Sequence, residues 1–173
     1  MTSTNISHSI KARKNANDKF YTPTDLVKVH LNLVKEYVVD TDIVFEPFYG
    51  SGNYFNLFSL YFPNNKYEYT EIELGLDFFT FQKNCDVIIS NPPYSCIDKV
   101  LEKSVSLKPH TISYLIGQGN LTTKRIEYMN KNGYFLSKLF FCKVFQWYGM
   151  SLICVFTNKT DTNCILFDRV VYK

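Results

Sequence analysis

The sequence of 173 residues lacks any run of about 18 uninterrupted apolar residues, the length that a transmembrane helix requires. Its N-terminus also lacks the apolar segment of a signal peptide. The five cysteines form no CxxC pair and no Cys/His pair at zinc-ligand spacing. We therefore expect a soluble intracellular protein with reduced cysteines, no bound metal and no membrane partner.

The chain has no large excess of charge of either sign. Its 19 Lys and Arg residues against 16 Asp and Glu residues give a net charge of +3, which permits a nucleic-acid partner without requiring one. Hydrophobic residues make up 46% and charged residues 20%, so disordered and coiled-coil classes are excluded. Residues 1–19 are polar and basic without periodicity, which predicts a flexible basic arm. The length predicts a single domain over residues 20–173.

Apolar patterns along the chain predict strands that alternate with helices. The first four strands are expected near residues 43–45, 66–72, 86–90 and 111–116. The helices are expected near residues 24–39, 53–61, 96–107 and 123–132. Strand-like stretches follow at about residues 137–144, 152–157 and 164–172. This order predicts a three-layer α/β/α sandwich with a mostly parallel sheet and an antiparallel C-terminal edge.

In such folds a ligand binds beyond the carboxyl ends of the strands. The segment EPFYGSG, which runs from Glu46 to Gly52, follows the first predicted strand. Gly50 and Gly52 permit a tight turn and a close approach of backbone to a ligand, and the next helix begins there. The segment matches neither a P-loop nor the GxGxxG fingerprint of dinucleotide-binding proteins.

Acidic residues follow the second predicted strand. A carboxylate at Glu71 or Glu73 could accept hydrogen bonds from two ribose hydroxyls. Asp77 and Phe78 come shortly afterwards, and together they could accept a hydrogen bond from an adenine amino group and stack on its ring. These residues predict a nucleoside site at the same edge of the sheet.

The tetrapeptide Asn91-Pro92-Pro93-Tyr94 follows the third predicted strand and is the strongest chemical signal. The prolines have no N–H, which leaves the Pro92 carbonyl and the Asn91 side-chain oxygen as two acceptors aimed at one point. A planar amino group with two N–H donors is complementary to them. Because asparagine is a poor general base, such a site positions and polarises an amino group rather than deprotonating it.

These motifs, in this order and each at a strand end, resemble those of the S-adenosylmethionine-dependent amino methyltransferases. The upstream Phe20-Tyr21-Thr22-Pro23 is similar to the N-terminal motif of the N6-adenine DNA methyltransferases. The glycine motif precedes the catalytic motif, and the short spacing between Gly52 and Asn91 favours the γ-like order. The resemblance implies a Rossmann-like class I methyltransferase fold, S-adenosylmethionine as cofactor and S-adenosylhomocysteine as product, and it implies no metal.

The resemblance also implies roles for individual residues. The methionine end of the cofactor is assigned to Tyr21, Thr22 and Pro23. The rest of the cofactor pocket is assigned to Glu46, Phe48, Gly50 and Gly52, with Glu71 on the ribose, Glu73 as the second choice for it, and Asp77 and Phe78 on the adenine. The target amino group is assigned to Asn91, Pro92 and Tyr94, with Pro93 completing the motif.

The chain departs from the family pattern in two places. Because the stretch between Glu71 and Asp77 is too short for a helix and a strand, we expect one edge strand to be shortened or lost. A target recognition domain is not expected, so a second copy of the chain or a specificity partner would replace it.

A flipped-out base needs a second aromatic face, for which Phe145 and Trp147 are the candidates. The basic arm, Lys124 and Arg125 are candidates for phosphate contacts.

The leading hypothesis is an N6-adenine DNA methyltransferase, and the residue bias and small size suggest a viral, phage or mobile-element source. The alternatives are a methyltransferase acting on RNA at adenine N6 or guanine N2, a glutamine-amide methyltransferase, and a non-catalytic cofactor-binding subunit of a larger assembly. The Phe20 to Pro23 motif favours DNA, whereas the expected lack of a recognition domain favours RNA.

Overall fold

A six-stranded sheet forms the centre of the computed structural model, which describes residues 21–144 and 149–165. The strands are β1 (Ile43–Glu46), β2 (Lys66–Tyr69), β3 (Val87–Ser90), β4 (Thr111–Gly117), β5 (Phe135–Cys142) and β6 (Ser151–Thr157), in the order β2-β1-β3-β4-β6-β5. β1 pairs in parallel with β2 and β3, and β3 pairs in parallel with β4. β6 lies antiparallel to both β4 and β5. The predicted mostly parallel sheet with an antiparallel C-terminal edge is confirmed.

Helices cover both faces of the sheet. They are α1 (Thr24–Val34), α2 (Phe55–Tyr61), α3 (Ile97–Ser106) and α4 (Thr123–Lys131). Because successive strand residues point to opposite faces, Val87 and Ile89 pack beneath α1 and α2, whereas Ile88 packs against α3 and α4. This arrangement confirms the three-layer sandwich. Among the described residues, the helices lack the length and apolar character needed to span a membrane.

The sheet ends at β2, where the family pattern would continue into a further strand. In this chain the segment after β2 forms two short 3-10 helices, Ile72–Leu74 and Phe78–Thr80. Between them Gly75 adopts a left-handed φ of 76°, which turns the chain back after one helical turn. No strand lies in this described segment, so the expected loss of an edge strand is confirmed.

Several predictions concern residues outside the described part of the chain. The arm at 1–19, Phe20 and most of the last predicted strand at 164–172 lie there. Of that strand, Cys164 and Ile165 are described, and they lie in a bend whose Cys164 backbone N–H donates to the carbonyl of Leu136. The division into an arm and one domain stays a prediction.

Helix α1 buries one face against the sheet. Val27, His30, Leu31 and Val34 are buried at helical spacing, and Val29 lies on the exposed side. We expect Leu31→Ala to lower the free energy of unfolding by about 2–5 kcal/mol, because it opens a cavity beneath a fully buried side chain. Val29→Ala on the same helix should change it by less than about 0.5 kcal/mol. Urea unfolding of both variants measures the difference, and equal losses would contradict this packing.

Candidate functional site

A cleft of about 310 Å³ opens at the carboxyl ends of β1, β2 and β3. Eight residues of the predicted site line it together with Glu73: Tyr21, Thr22, Glu46, Phe48, Gly50, Glu71, Asn91 and Pro93. An adjoining cavity of about 150 Å³ is lined by Asp77 and Phe78 and shares Phe48, Glu71 and Pro93 with the cleft. The structure therefore places most of the predicted cofactor residues and Asn91 around two cavities that share lining residues.

Of the described residues predicted to be catalytic or to bind the cofactor, four line neither cavity. Pro23 is exposed at the cap of α1, and Gly52 closes the turn that precedes α2. Pro92 is buried, and Tyr94 begins a 3-10 helix where it packs half-buried against the core on the α3 and α4 side. Each of them is adjacent in sequence to a residue that lines the cleft but does not itself line it.

The turn between β1 and α2 requires glycine at two positions. Gly50 has a φ of 54°, and its backbone N–H donates to Oε2 of Glu71 at 2.7 Å. Gly52 has a φ of 77°, and its N–H donates to the carbonyl of Tyr49 at 2.7 Å. A Cβ atom at Gly52 would lie 2.7 Å from the Cζ and Oη atoms of Tyr49. Any other residue there meets both backbone strain and a steric clash.

Glu71 connects the end of β2 to the glycine turn. Its Oε2 atom accepts from Gly50, and its Oε1 atom accepts from the backbone N–H of Glu73 at 3.2 Å. Each carboxylate oxygen can accept more than one hydrogen bond, so these contacts orient the carboxylate and leave it able to accept from hydroxyl groups. Glu71 thus contacts the glycine turn through its carboxylate, whereas Glu73 contributes its backbone N–H as a donor to that carboxylate.

Glu46 is a buried carboxylate at the base of the cleft. It is 1% exposed, and its Oε2 atom accepts from the backbone N–H of Phe55 at the start of α2, at 2.8 Å. Burial raises the pKa of Glu46 well above its usual value of 4.5, the Phe55 N–H opposes this, and the nearby charge of Glu71 adds to it. A positive charge entering the cleft would therefore favour the ionised form of Glu46.

Aromatic rings line the adjoining cavity. The rings of Phe48 and Phe78 meet edge to face, with centroids 5.1 Å apart. Asp77 stands at its rim, where its Oδ1 atom accepts from the backbone N–H of Phe79 at 2.9 Å. The cavity therefore offers apolar ring surface and one carboxylate, which suits a flat ring that carries a hydrogen-bond donor.

Asn91 lies directly after β3 and contacts the segment that precedes α1. Its Nδ2 atom donates to Oγ1 of Thr22 at 3.1 Å. Thr22 is itself buried, and its backbone carbonyl accepts from Nδ2 of Asn53 at 2.7 Å. Two motifs that are 69 positions apart in the sequence are thus joined by a side-chain hydrogen bond. This contact was not predicted.

The predicted phosphate contacts lie in a different place. Lys124 and Arg125, on α4, line a separate cavity of about 140 Å³ with Asp98. The Nε atom of Arg125 donates to Oδ1 of Asp98 at 2.6 Å, and its Nη1 atom donates to the carbonyl of Asn120 at 2.8 Å. These two residues are therefore not brought together with the cleft. Phe145 and Trp147 lie outside the described residues.

Sequence reasoning missed five residues that line the cleft: Tyr49, Ser51, Asn53, Tyr54 and Ile72. Asn53 and Tyr54 directly follow the glycine turn, and residues between such a turn and a helix face the ligand in this kind of fold, so their position was a usable signal. Among the described residues, no group of three or more His, Cys, Asp or Glu side chains is arranged to hold a metal ion.

Solved structures with similar folds are methyltransferases. A proposed RNA methyltransferase from Pyrococcus horikoshii has a TM-score of 0.62 at 12% identity, over 80% of this chain and 87% of its own. Precorrin-6y C5,15-methyltransferase from Geobacter metallireducens has a TM-score of 0.58 at 14% identity, over 81% and 94%. TrmK from M. capricolum, solved with S-adenosylhomocysteine, has a TM-score of 0.57 at 9% identity, over 79% and 70%.

These similarities show that the chain has the Rossmann-like fold of the class I methyltransferases. At identities of 9–14% they show the fold alone. No protein-family model matches the sequence, and a search of curated proteins finds no similar sequence.

The conformation of the glycine turn leads to a prediction about the stability of the fold. Gly52→Ala should lower the free energy of unfolding by about 1–3 kcal/mol, because it strains the backbone and displaces Tyr49. Gly119→Ala is the matched control, since a Cβ atom there meets nothing within 4 Å and no left-handed φ is required. Thermal and urea unfolding of the two variants test this, and a loss at Gly119 as large as that at Gly52 would contradict it.

Proposed function

We propose that the protein transfers a methyl group from S-adenosylmethionine to the exocyclic N6 amino group of adenine in DNA. The observation that carries the proposal is the position of Asn91, which lies on the wall of the same cleft as Glu71 and the glycine turn and is fixed by Thr22. Because the Asn91 amide shares this cleft with Glu71 and the glycine turn, it is suited to hold a target amino group beside a cofactor that contains a nucleoside.

The residues present fit S-adenosylmethionine. The cleft of about 310 Å³ lies within the range of small-molecule sites. Phe48 and Phe78 would contact the adenine ring, with Asp77 accepting from its amino group. Glu71 would accept from the ribose hydroxyls, and the methionine end would lie toward Tyr21, Thr22 and Pro23. The structure of TrmK from M. capricolum contains S-adenosylhomocysteine within a similar fold, which supports this choice of cofactor.

Asn91 would act on the target by positioning and polarisation. Its Oδ1 atom and the Pro92 carbonyl would each accept an N–H of the target amino group, which draws the nitrogen toward tetrahedral geometry and makes its lone pair available. When bound, S-adenosylmethionine supplies an electrophilic methyl group on a sulfonium sulfur. The nitrogen would accept this methyl group as the carbon–sulfur bond breaks, S-adenosylhomocysteine would leave, and the extra proton on nitrogen would pass to water. Tyr94 would stack on the target base.

DNA is the first choice of substrate because Tyr21, Thr22 and Pro23 form part of a motif similar to that of the N6-adenine DNA methyltransferases. RNA is the second candidate, supported by the similar fold of the proposed RNA methyltransferase from Pyrococcus horikoshii. The roles of Phe145 and Trp147 beside a flipped base, and of Lys124 and Arg125 on phosphates, belong to this proposal. A second copy of the chain or a specificity partner would supply sequence selection.

The direct test is Asn91→Ala in a methyl-transfer assay. We expect the rate of transfer from labelled S-adenosylmethionine to unmethylated duplex DNA to fall at least about 100-fold, because one polarising contact is lost. Binding of the cofactor, measured by calorimetry, should change little. Asn158→Ala, on the exposed turn after β6, is the matched control and should keep its activity.

Parallel assays with single-stranded DNA and total RNA identify the substrate. Label in N6-methyladenine of DNA that is lost in Asn91→Ala supports the proposal. Label confined to RNA would replace DNA with the second candidate. Cofactor binding without transfer to any nucleic acid would contradict both substrates.

The raised pKa of Glu46 leads to a prediction about the pH dependence of cofactor binding. S-adenosylmethionine carries a fixed positive charge, so it should favour the ionised form of Glu46, whose pKa is raised by burial in the free protein. Binding should therefore release a proton, and affinity should rise as the pH increases above 4.5, the usual pKa of a glutamate. Glu46→Gln removes the titrating group and should flatten this profile. Calorimetry in buffers of different ionisation enthalpy measures the proton release, and proton uptake would contradict the prediction.

A further inference from the structure

The segment between β2 and β3 presents apolar side chains at the rim of the cleft. Four large apolar side chains lie between residues 72 and 79 and are 41–72% exposed: Ile72, Leu74, Leu76 and Phe79. Ile72 lines both the cleft and the adjoining cavity, and Phe79 lines the adjoining cavity. Scattered apolar residues are normal on a protein surface, whereas a cluster of them marks an interaction surface.

Hydrogen bonds of the segment's own backbone hold it in place. The N–H of Leu76 donates to the carbonyl of Glu71 at 3.1 Å, and the N–H of Phe79 donates to Oδ1 of Asp77 at 2.9 Å. Phe78 is buried in this segment, whereas the four side chains above are exposed. Because those four contribute little buried apolar area to the fold, a partner that covers them gains the free energy of burying them.

The same segment is acidic. It contains Glu71, Glu73 and Asp77, and the sequence of residues 71–79 includes no Lys, Arg or His. We name residues 71–79 the acidic–apolar face. Two copies of the chain that met through this face would bring carboxylates against carboxylates, and the face would repel nucleic-acid phosphates. It therefore suits a segment that carries both positive charge and apolar side chains.

Residues 1–19 of this chain have that composition. They contain the apolar Ile6 and Ile10 and four basic residues against one acidic residue, Asp18. The basic residues are Lys11, Arg13, Lys14 and Lys19. The segment ends two residues before Tyr21, which lines the same cleft as Ile72. At up to about 3.3 Å for each residue, a segment of this length can reach every part of the neighbouring face.

We propose that residues 1–19 dock on the acidic–apolar face of their own chain. In this arrangement Lys11 and Lys14 face the carboxylates, and Ile6 and Ile10 contact the apolar side chains. Exposed ion pairs are individually weak, but the covalent connection through Tyr21 raises the local concentration of the segment at the face. The docking requires no methyl transfer, so it stands or fails separately from the proposed function.

The first test is carbodiimide cross-linking of the full chain, which joins a lysine amine to a carboxylate that it contacts. We expect cross-links from Lys11 and Lys14 to Glu73 and Asp77. Their yield, measured by mass spectrometry, should be at least about 5-fold higher than the yield to Glu102, because docking raises the local concentration of the lysines at the face. Glu102 is the matched control, since it is exposed on α3 and lines the separate cavity beside α4.

A mixture of ¹⁴N- and ¹⁵N-labelled chains identifies the source of the docked segment. Cross-links within one chain support the proposal. Cross-links that join a light chain to a heavy chain would show that a second copy supplies the segment, and they would overturn the proposal. Equal yields at Asp77 and Glu102 would also overturn it, because the lysines would then react without docking.

Hydrogen–deuterium exchange of the full chain tests the apolar contacts. We expect the amides of residues 1–19 to exchange more slowly than those of an unstructured peptide, and Leu74→Ser should speed their exchange at least about 3-fold. Leu60→Ser is the matched control, since Leu60 is 70% exposed on α2 and lies outside the face, and its exchange should match wild type. Both substitutions replace an exposed side chain, so both variants should fold.

Two results of the exchange measurement would overturn the proposal. Exchange of residues 1–19 at the unprotected rate in wild type would show that they do not dock. Equal acceleration in Leu74→Ser and Leu60→Ser would show that any protection does not come from the acidic–apolar face.

Discussion

Parallel pairing of β1 with β2 on one side and with β3 on the other is the constraint on which the cleft depends. The pairing of Val44 with both Tyr67 and Val87 sets the three strands in a register that ends them at one edge of the sheet. Glu46 is the last residue of β1, and Glu71 and Asn91 follow the ends of β2 and β3, so all three line the same cleft. A shift of β1 by one residue would turn Val44 and Phe45 to the wrong faces and take Glu46 out of the cleft.

Hydrogen bonds between the segments that follow the strands stabilise the cleft at the ends of the strands. Glu71 ties the end of β2 to the glycine turn, and Asn91 ties the end of β3 to the segment before α1 through Thr22. The cleft is therefore complete without a strand beyond β2, because its walls come from β1, β2 and β3 and from the segment before α1. The compact segment after β2 still supplies Asp77 and Phe78 to the adjoining cavity.

The sequence allowed the mostly parallel sheet with its antiparallel C-terminal edge, and most of the cleft, to be predicted, because short β-branched runs and glycine turns are local signals. The same signals also predicted which polar side chains lie at the ends of the strands. The bond from Asn91 to Thr22 and the hydrogen bonds of His30 with Tyr54 and Ser113 could not be predicted, since the partners are distant in sequence. Arg125 was assigned to nucleic acid by its charge, but its place on α4 pairs it with Asp98. The predictions for Phe145 and Trp147 stay predictions.

The most direct test of the account is a crystal structure of the protein with S-adenosylhomocysteine. The account predicts the adenine ring in the cavity formed by Phe48 and Phe78, the ribose hydroxyls on Glu71, and the sulfur at the end of the cleft nearest Asn91. A ligand bound in the reverse direction, with its adenine at Asn91, or bound in the separate cavity beside Arg125, would contradict it.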